Sequence, residues 1–216
     1  MKILFVAPEA APFVKIGGLG EVMFSLPRAL KKIGHDVRVM MPRYAGIDLQ
    51  QFKLEMELEG LQVPTDAEGE TESKYLTCNV KRFDEGVVPR SPVTTYFLEN
   101  EEYYEKRANV YGYADDAARW ALLSRGVLEW LRVSKWVPDV IVASDWQTGF
   151  LPNYLKTVYK NDSRLNRIAT IFTIHNLYYQ GLFDHRFISE LDYDDGQSPV
   201  PSFFNPRLLK INGMRR

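Results

Sequence analysis

The chain has 216 residues, of which 27 are basic and 28 acidic, so it offers no broad positive field to nucleic acid or an anionic membrane. Its length can bury a large core as one domain, and no apolar run is long enough to span a bilayer. The first residues lack the pattern of a signal peptide, so we expect a soluble, cytoplasmic protein.

Strand and helix signals alternate along the first half of the chain. Residues 3–7 form a continuous apolar run, which predicts a buried parallel strand over residues 2–7. A helix is predicted next, because apolar residues recur at helical spacing at Val22, Met23, Leu26, Leu30 and Ile33. A second strand is predicted over residues 37–41, between Gly34 and Pro42. Residues 54–73 combine many acidic side chains with glycine and proline, which indicates a solvated hairpin or a mobile loop.

The alternation continues in the second half. Strands are predicted over residues 75–81 and 93–98, and a long helix then begins at Asp115 or Asp116. The buried face of this helix is expected to carry Trp120, Leu123, Val127 and Trp130 or Leu131. The single cysteine, Cys78, has no partner for a disulfide or a zinc site and is interpreted as an apolar filler. With two further strands downstream, this order predicts an α/β fold with an open, mostly parallel Rossmann-like sheet and helices on both faces.

The turn between the first strand and the first helix contains Lys15, Gly17, Gly18 and Gly20. Glycines let the backbone approach a ligand closely, the first amides of the helix point at it, and lysine supplies a positive charge. The pattern therefore predicts a site for an anionic group. An ordinary tight turn is the alternative, because the spacing of the glycines matches neither the dinucleotide-binding fingerprint nor the nucleotide P-loop.

Two further predicted strands end in polar side chains. The strand at residues 138–143 leads into Ser144, Asp145, Trp146 and Gln147, and a helix through Phe150, Leu151, Tyr154, Leu155 and Val158 follows. The strand at residues 168–174 leads into His175 and Asn176. Because ligands bind outside the carboxyl ends of parallel strands, we expect these groups and the glycine turn to line one crevice. The alternatives are a helix cap for Asp145 and a hydrogen-bonded scaffold role for His175. Aromatic rings near the rim, which can stack on sugars or pack structurally, are Trp146, Tyr178 and Tyr179.

Four motifs of this chain resemble one family. Residues 15–22, Lys-Ile-Gly-Gly-Leu-Gly-Glu-Val, resemble the Lys-x-Gly-Gly-Leu-x-Asp-Val signature of bacterial glycogen synthases and plant starch synthases, and Ala7-Pro8-Glu9 with Pro12 is similar to that family's opening. Residues 115–120 are similar to its Asp-Asn-x-x-Arg-Phe, residues 144–149 to its His/Asn-Asp-Trp-His-x-Gly, and residues 173–181 to its Thr-x-His-Asn-Leu-x-Tyr-Gln-Gly. The motifs occur in the family's order, and the resemblance runs from Met1 to about Phe183.

The resemblance implies a retaining glycosyltransferase built from two Rossmann-like domains, the GT-B architecture. Such an enzyme transfers glucose from ADP-glucose or UDP-glucose to the non-reducing end of an α-1,4-glucan and uses no cofactor or metal. By this resemblance, residues 1–216 are a single, incomplete, acceptor-side N-terminal domain, and a C-terminal nucleotide-binding domain would follow. The expected partners are the nucleotide-sugar donor, the glucan acceptor and that second domain, with no nucleic acid or membrane. The chain alone is expected to be inactive.

The same resemblance implies the roles of individual residues. Cleavage of a glycosyl–phosphate bond builds positive charge on the anomeric carbon and negative charge on the leaving diphosphate. Lys15 with the amides of Gly17 and Gly18 would meet the diphosphate, and His175 would contact the transferred glucosyl unit. Glu21 and Asp145 would hold sugar hydroxyls. In full, the implied residues are His175 and Glu21 for catalysis, Lys15, Gly17, Gly18 and Asn176 for the donor, and Asp145, Trp146 and Gln147 for the acceptor or sugar.

Three positions depart from the family pattern. Glu21 stands where the family usually has Asp, which adds one methylene, and Ser144 replaces a His or Asn. Gln147 replaces a His, which keeps hydrogen bonding but loses titration near neutral pH. Two other functions therefore stay open. One is a non-catalytic glucan-binding or pseudoenzyme module, and the other is a different nucleotide-sugar transferase of the same architecture, such as a sucrose-synthase-like or trehalose-synthase-like enzyme.

Overall fold

A computed structural model describes residues 1–65, 74–84 and 93–181. The strands are β1 (Lys2–Val6), β2 (Asp36–Pro42), β3 (Glu55–Pro64), β4 (Tyr75–Phe83), β5 (Thr94–Glu99), β6 (Val140–Ser144) and β7 (Ala169–Thr173). The α-helices are α1 (Gly18–Lys32), α2 (Asp116–Val133) and α3 (Phe150–Lys156). A π-helical turn at Glu101–Glu105 and a 3₁₀ turn at Trp146–Thr148 complete the described elements.

All seven strands join one sheet in the order β3-β4-β5-β2-β1-β6-β7. The pairs β5–β2, β2–β1, β1–β6 and β6–β7 are parallel, whereas β4 is antiparallel to both of its neighbours. Crossovers between parallel strands are right-handed, and the chain moves in opposite directions from β1 to β2 and from β5 to β6, so α1 and α2 cover opposite faces. The prediction of an open, mostly parallel α/β sheet is confirmed.

The acidic segment at residues 54–73 is a strand over most of its described part. The ten-residue strand β3 (Glu55–Pro64) pairs antiparallel with β4 at the edge of the sheet, so for these residues the hairpin alternative is confirmed and the mobile-loop alternative is wrong. Arg82 of β4 pairs with Glu55 at 2.9 Å and with Glu57 at 3.2 Å. The acidic run is therefore the solvent-facing side of an edge strand. The remainder of the predicted segment, residues 66–73, lies outside the described residues.

Helix α1 buries part of the predicted stripe, since Met23 is buried and both Val22 and Leu30 pack partly buried against the core. Leu19, Met23 and Pro27 are buried, whereas Leu26 and Ile33 are exposed. The reason is that contact with the sheet follows the i, i+4 row that begins at Leu19, and the other two side chains lie off that row. Likewise, α3 ends at Lys156, so Val158, which was expected on its buried face, is outside the helix and 45% exposed.

The residues expected on the buried face of α2, namely Trp120, Leu123, Val127, Trp130 and Leu131, are all buried, and the other sides of the helix are buried as well. Every residue from Asp116 to Leu131 is buried, because α2 contacts α3 as well as β2, β3 and β5. Its start also differs from the expected cap. Asp115 occupies the N-cap position without a side-chain capping bond and pairs instead with Arg107 at 2.7 Å. Asp116 accepts a hydrogen bond from the amide of Gly112 at 2.8 Å.

Arg119, from the motif at residues 115–120, is part of the core. Its guanidinium is fully buried, pairs with Asp116, and donates to the carbonyl oxygens of Tyr103 at 2.8 Å and Val110 at 2.9 Å. This motif therefore fastens the segment before α2 to the helix. Cys78 is also buried, and burial raises the pKa of its thiol to about 12, in agreement with a filler role. Within the described ranges, no helix is long and apolar enough to cross a membrane.

Candidate functional site

The carboxyl ends of β1, β6 and β7 are adjacent, and a cleft of about 490 Å³ opens beside them. Two of its walls are the start of α1 and the 3₁₀ turn after β6. Seven of the nine expected site residues line this cleft, namely Gly17, Gly18, Asp145, Trp146, Gln147, His175 and Asn176. The side chains of Glu9, Tyr111 and Tyr179 also line it. The expected convergence of three strand ends is therefore present in the structure.

Lys15 and Glu21 are not among the residues that line the cleft. The family resemblance implied that Lys15 meets the diphosphate and Glu21 a sugar hydroxyl, but here they form an ion pair with each other at 2.7 Å. Both side chains are more than half exposed, at 55% and 56%. An exposed pair of this kind contributes at most about 1 kcal/mol, so a ligand can separate it at small cost. The longer side chain of glutamate, compared with the family's usual aspartate, extends the reach of this carboxylate toward the lysine.

The glycine turn already contains an anion of the protein itself. The carboxylate of Glu9 accepts hydrogen bonds from the amides of Ile16 at 2.6 Å, Gly17 at 3.2 Å and Gly20 at 3.0 Å. Glu9 was not among the predicted site residues, although it follows the end of β1 closely, where site residues are expected. Packing explains why residue 20 is a glycine, since a Cβ there would lie 3.2 Å from the Cα of Lys15.

Asp145 joins the ends of β6 and β7. Its amide donates to the carbonyl oxygen of Thr173 at 2.8 Å, and its Oδ1 accepts from the amide of His175 at 3.0 Å. The residue is 6% exposed and adopts a φ of 63°, a conformation that costs a non-glycine residue about 1 kcal/mol or more. Asp145 therefore does not act as a simple helix cap, because its carboxylate holds the backbone of the residue that follows β7.

His175 projects from this junction, and its imidazole is exposed to solvent. Its Nε2 lies 3.0 Å from Oγ1 of Thr173, and no other side-chain partner is present in the described part of the chain. The alternative of a buried structural histidine therefore does not fit. The neighbouring Asn176 has a turn-forming role, since its Oδ1 accepts from the amides of Tyr178 at 2.9 Å and Tyr179 at 3.2 Å.

Trp146 lies at the rim of the cleft and packs against the other residues there. Its indole packs edge-to-face against Trp120 and Tyr179, with ring centroids 6.2 and 6.0 Å apart. Gly181 lies against the same ring, because a Cβ at this glycine would be 2.6 Å from Cζ3 of the indole. One role of Trp146 is thus to hold residues 179–181 in place. Tyr178, which was expected at the rim with Tyr179, is 99% exposed and does not line the cleft.

The polar chemistry of the cleft suits hydroxyl groups. Gln147 is 4% exposed, and its Oε1 has no hydrogen-bond partner within residues 1–65, 74–84 and 93–181. Burial, with the carboxylates of Glu9 and Asp145 nearby, raises the pKa of Tyr111 above its ordinary value, so this phenol stays neutral. No lysine or arginine is among the described residues that line the cleft. It therefore offers acceptors and aromatic faces, and its charged groups do not favour a second anion.

Comparisons with known proteins agree on one family. The sequence profile described as "Starch synthase catalytic domain" matches residues 2–215. The glycogen synthase of Exiguobacterium sibiricum is 43% identical over 194 residues, which are 88% of this chain and 38% of that protein. The glycogen synthase of Clostridium acetobutylicum is 42% identical over 193 residues, with the same two shares. The catalytic domain of starch synthase IV from Arabidopsis thaliana, bound to ADP and acarbose, matches with a TM-score of 0.74 at 26% identity, covering 92% of this chain and 38% of that one.

The chain thus spans 38% of the length of each of these relatives. Within that span, the profile match extends over nearly every residue and the two bacterial relatives exceed 40% identity. The resemblance seen in four short motifs is therefore a property of the whole chain, which belongs to the family of starch synthase catalytic domains.

Proposed function

We propose that this chain is the acceptor-side N-terminal domain of a retaining glucosyltransferase, which moves glucose from a nucleotide sugar to the non-reducing end of an α-1,4-glucan. The observation that carries the proposal is the cleft at the ends of β1, β6 and β7, where acceptor groups and aromatic rings surround an exposed imidazole. The named relatives are glycogen synthases, which supports a glucan as the product.

In this proposal His175 is the catalytic residue of the chain. Its imidazole makes one hydrogen bond, to Thr173, and lines the cleft, so it is available to contact the transferred glucosyl unit. The developing positive charge on the anomeric carbon would be stabilised by the backbone carbonyl of His175, a residue whose amide is bonded to Asp145. The buried Oε1 of Gln147 would accept a sugar hydroxyl and so gain the partner that it lacks.

The diphosphate would be met at the edge of the cleft. Lys15 is the basic residue of the glycine turn, and it would exchange Glu21 for the donor's phosphate. No lysine or arginine is among the described residues that line the cleft, so Lys15 at its edge is the basic group this chain offers there. A single lysine carries too little positive charge to neutralise a leaving diphosphate. Further basic groups would come from a second, nucleotide-binding domain, so residues 1–216 would be one incomplete half of the active site.

ADP-glucose is the donor we propose, with UDP-glucose as the alternative. The support is that the Arabidopsis relative was solved with ADP. No cofactor or metal is part of the proposal, and the described residues include no group of three or more His, Cys, Asp or Glu placed to hold a metal ion.

A chimera tests the proposal. The chain replaces the matching 194 residues of the Exiguobacterium relative. Transfer of labelled glucose from ADP-glucose and from UDP-glucose to glycogen is then measured for the chimera, the parent enzyme and the isolated chain. We expect the chimera to transfer glucose, preferentially from ADP-glucose, and the isolated chain to be inactive. A folded chimera without activity, together with binding of maltoheptaose by the chain, would instead identify a non-catalytic glucan-binding module. Robust transfer by the isolated chain would contradict the two-domain proposal.

A further inference from the structure

The carboxylate of Glu9 is enclosed by the start of α1. The residue is 2% exposed, and Oε2 accepts from the amides of Ile16 and Gly17 while Oε1 accepts from those of Gly17 and Gly20. We call these three N–H groups the amide cradle. A carboxylate has about four acceptor positions, and four contacts to the cradle occupy them. Glu9 therefore has little capacity left to bind a hydroxyl group of a ligand, although it lines the cleft.

Glu9 is also anchored on its own side. The amide of Ala7 donates to the carbonyl oxygen of Met40 at 3.1 Å, and the hydroxyl of Tyr44 donates to the carbonyl oxygen of Pro8 at 2.8 Å. The backbone before Glu9 is therefore bonded to β2 and to the segment that follows β2. The amide of Ala11 donates to the carbonyl oxygen of Gly20 at 3.0 Å. The position of the carboxylate is therefore set by the sheet, and the glycine turn is fastened to it.

Helix α1 depends on this contact for its cap. Its N-cap residue, Gly17, has no side chain, so the orphan amides of the first turn need an acceptor from elsewhere. Glu9 supplies that acceptor with a full negative charge, which the positive end of the helix dipole favours. The amide of Gly18, by contrast, has no hydrogen-bond partner among the described residues.

We propose that Glu9 is a positioning residue that fills the amide cradle as an internal anion, holds the glycine turn in place, and excludes a ligand's phosphate from Gly17 and Gly20. An anionic ligand is left with the amides of Gly18 and Leu19, which have no hydrogen-bond partner among the described residues, and with the side chain of Lys15. Two anions cannot share the cradle, because each N–H donates one strong bond and like charges repel at this distance. This inference deepens the proposed function, on which it rests only for the identity of the anion as a donor diphosphate.

The test is an NMR titration of the full chain with inorganic pyrophosphate, followed through the amide resonances of the three glycines. In the wild-type chain, we expect the resonance of Gly18 to move while those of Gly17 and Gly20 stay unchanged. In Glu9→Ala, we expect Gly17 and Gly20 to respond as well, and the affinity for pyrophosphate to rise about tenfold, the amount that one charge-assisted hydrogen bond contributes. Glu59→Ala is the matched control, since it removes an exposed carboxylate from β3 at the far edge of the sheet and should behave like the wild type.

Two results would overturn the proposal. One is an equal response of all three glycines in the wild-type chain, and the other is a folded Glu9→Ala variant in which Gly17 and Gly20 ignore pyrophosphate. If Glu9→Ala does not fold, Glu9→Gln decides by the same resonances, because it keeps the size of the side chain but loses the charge. A wild-type chain with no response at Gly18, combined with new responses at Gly17 and Gly20 in the variant, supports the filled cradle and contradicts the donor role proposed for Lys15.

Discussion

Replacing His175 with alanine separates a catalytic role from a structural one. The imidazole is exposed and makes one side-chain hydrogen bond, 3.0 Å to Thr173. A typical hydrogen bond contributes about 0.5 to 1.5 kcal/mol to stability, and the exposure of this one places it at the low end of that range. At about 2 to 4 °C per kcal/mol for a chain of this size, the expected fall in Tm is less than about 4 °C.

The expected effect on turnover is much larger. If the imidazole contacts the glucosyl unit mainly at the transition state, its removal forfeits a hydrogen bond to a charged group worth about 1.5 to 3 kcal/mol. The corresponding loss is roughly tenfold to a hundredfold in kcat, with the affinity for the nucleotide nearly unchanged. The Asp145 bond to the backbone amide of His175 persists in the variant, so the local backbone should keep its course.

The assay measures Tm and turnover on one preparation of the chimera described above. His35→Ala serves as the matched control, because His35 lies in the turn between α1 and β2, at the amino ends of the parallel strands, whereas the cleft lies at their carboxyl ends. The control should leave turnover unchanged. A large drop in Tm for His175→Ala, with normal turnover per folded molecule, would refute the reasoning and remove this histidine from the site.

Three further substitutions probe the loop, the core and the rim. Lys15→Ala should change stability by less than about 1 kcal/mol but lower kcat/KM for the nucleotide sugar roughly tenfold to a hundredfold. Lys15→Arg should recover part of this loss. Unchanged donor kinetics in Lys15→Ala would mean that the glycine turn is an ordinary tight turn with no role in binding the donor. Gly126→Ala gains about 1 kcal/mol of helix propensity, but its Cβ would lie 2.7 Å from Cδ2 of the fully buried Leu98, and overpacking costs about 1 to 3 kcal/mol. Urea unfolding should therefore show no gain or a net loss for Gly126→Ala, and a gain when the same change is made in a Leu98→Ala background; stabilisation of the wild-type background would contradict this. Gly181→Ala places a residue with a φ of 62° so that its Cβ lies 2.6 Å from the indole of Trp146, and maltoheptaose binding should therefore weaken. Gly34→Ala is the control: its φ is 95° and the space around it is open, so it should lower only stability. Equal binding by both variants would argue against the rim as a binding element.

Local sequence patterns determined much of the architecture. Continuous apolar runs marked β1, β2 and β6 within one or two residues of their ends, because a strand covered on both faces must be apolar at successive positions. The same patterns placed Asp145 directly after β6 and His175 two residues after β7, and parallel strands all point their carboxyl ends to one edge of the sheet. A candidate crevice could therefore be located without any knowledge of strand order.

Only the tertiary structure decided which partner each polar group takes. Glu9 accepts hydrogen bonds from the amides of the glycine turn, and Glu21 pairs with Lys15, although the sequence predicted an anionic ligand for these groups; the spacing along the chain does not reveal which acceptor is nearer. The burial of α2 on every side likewise depends on α3 and on the distant strand β3, which no periodicity within the helix records. Periodicity reports the environment along one element, whereas hydrogen-bond pairing and burial depend on distances between elements that are remote in sequence.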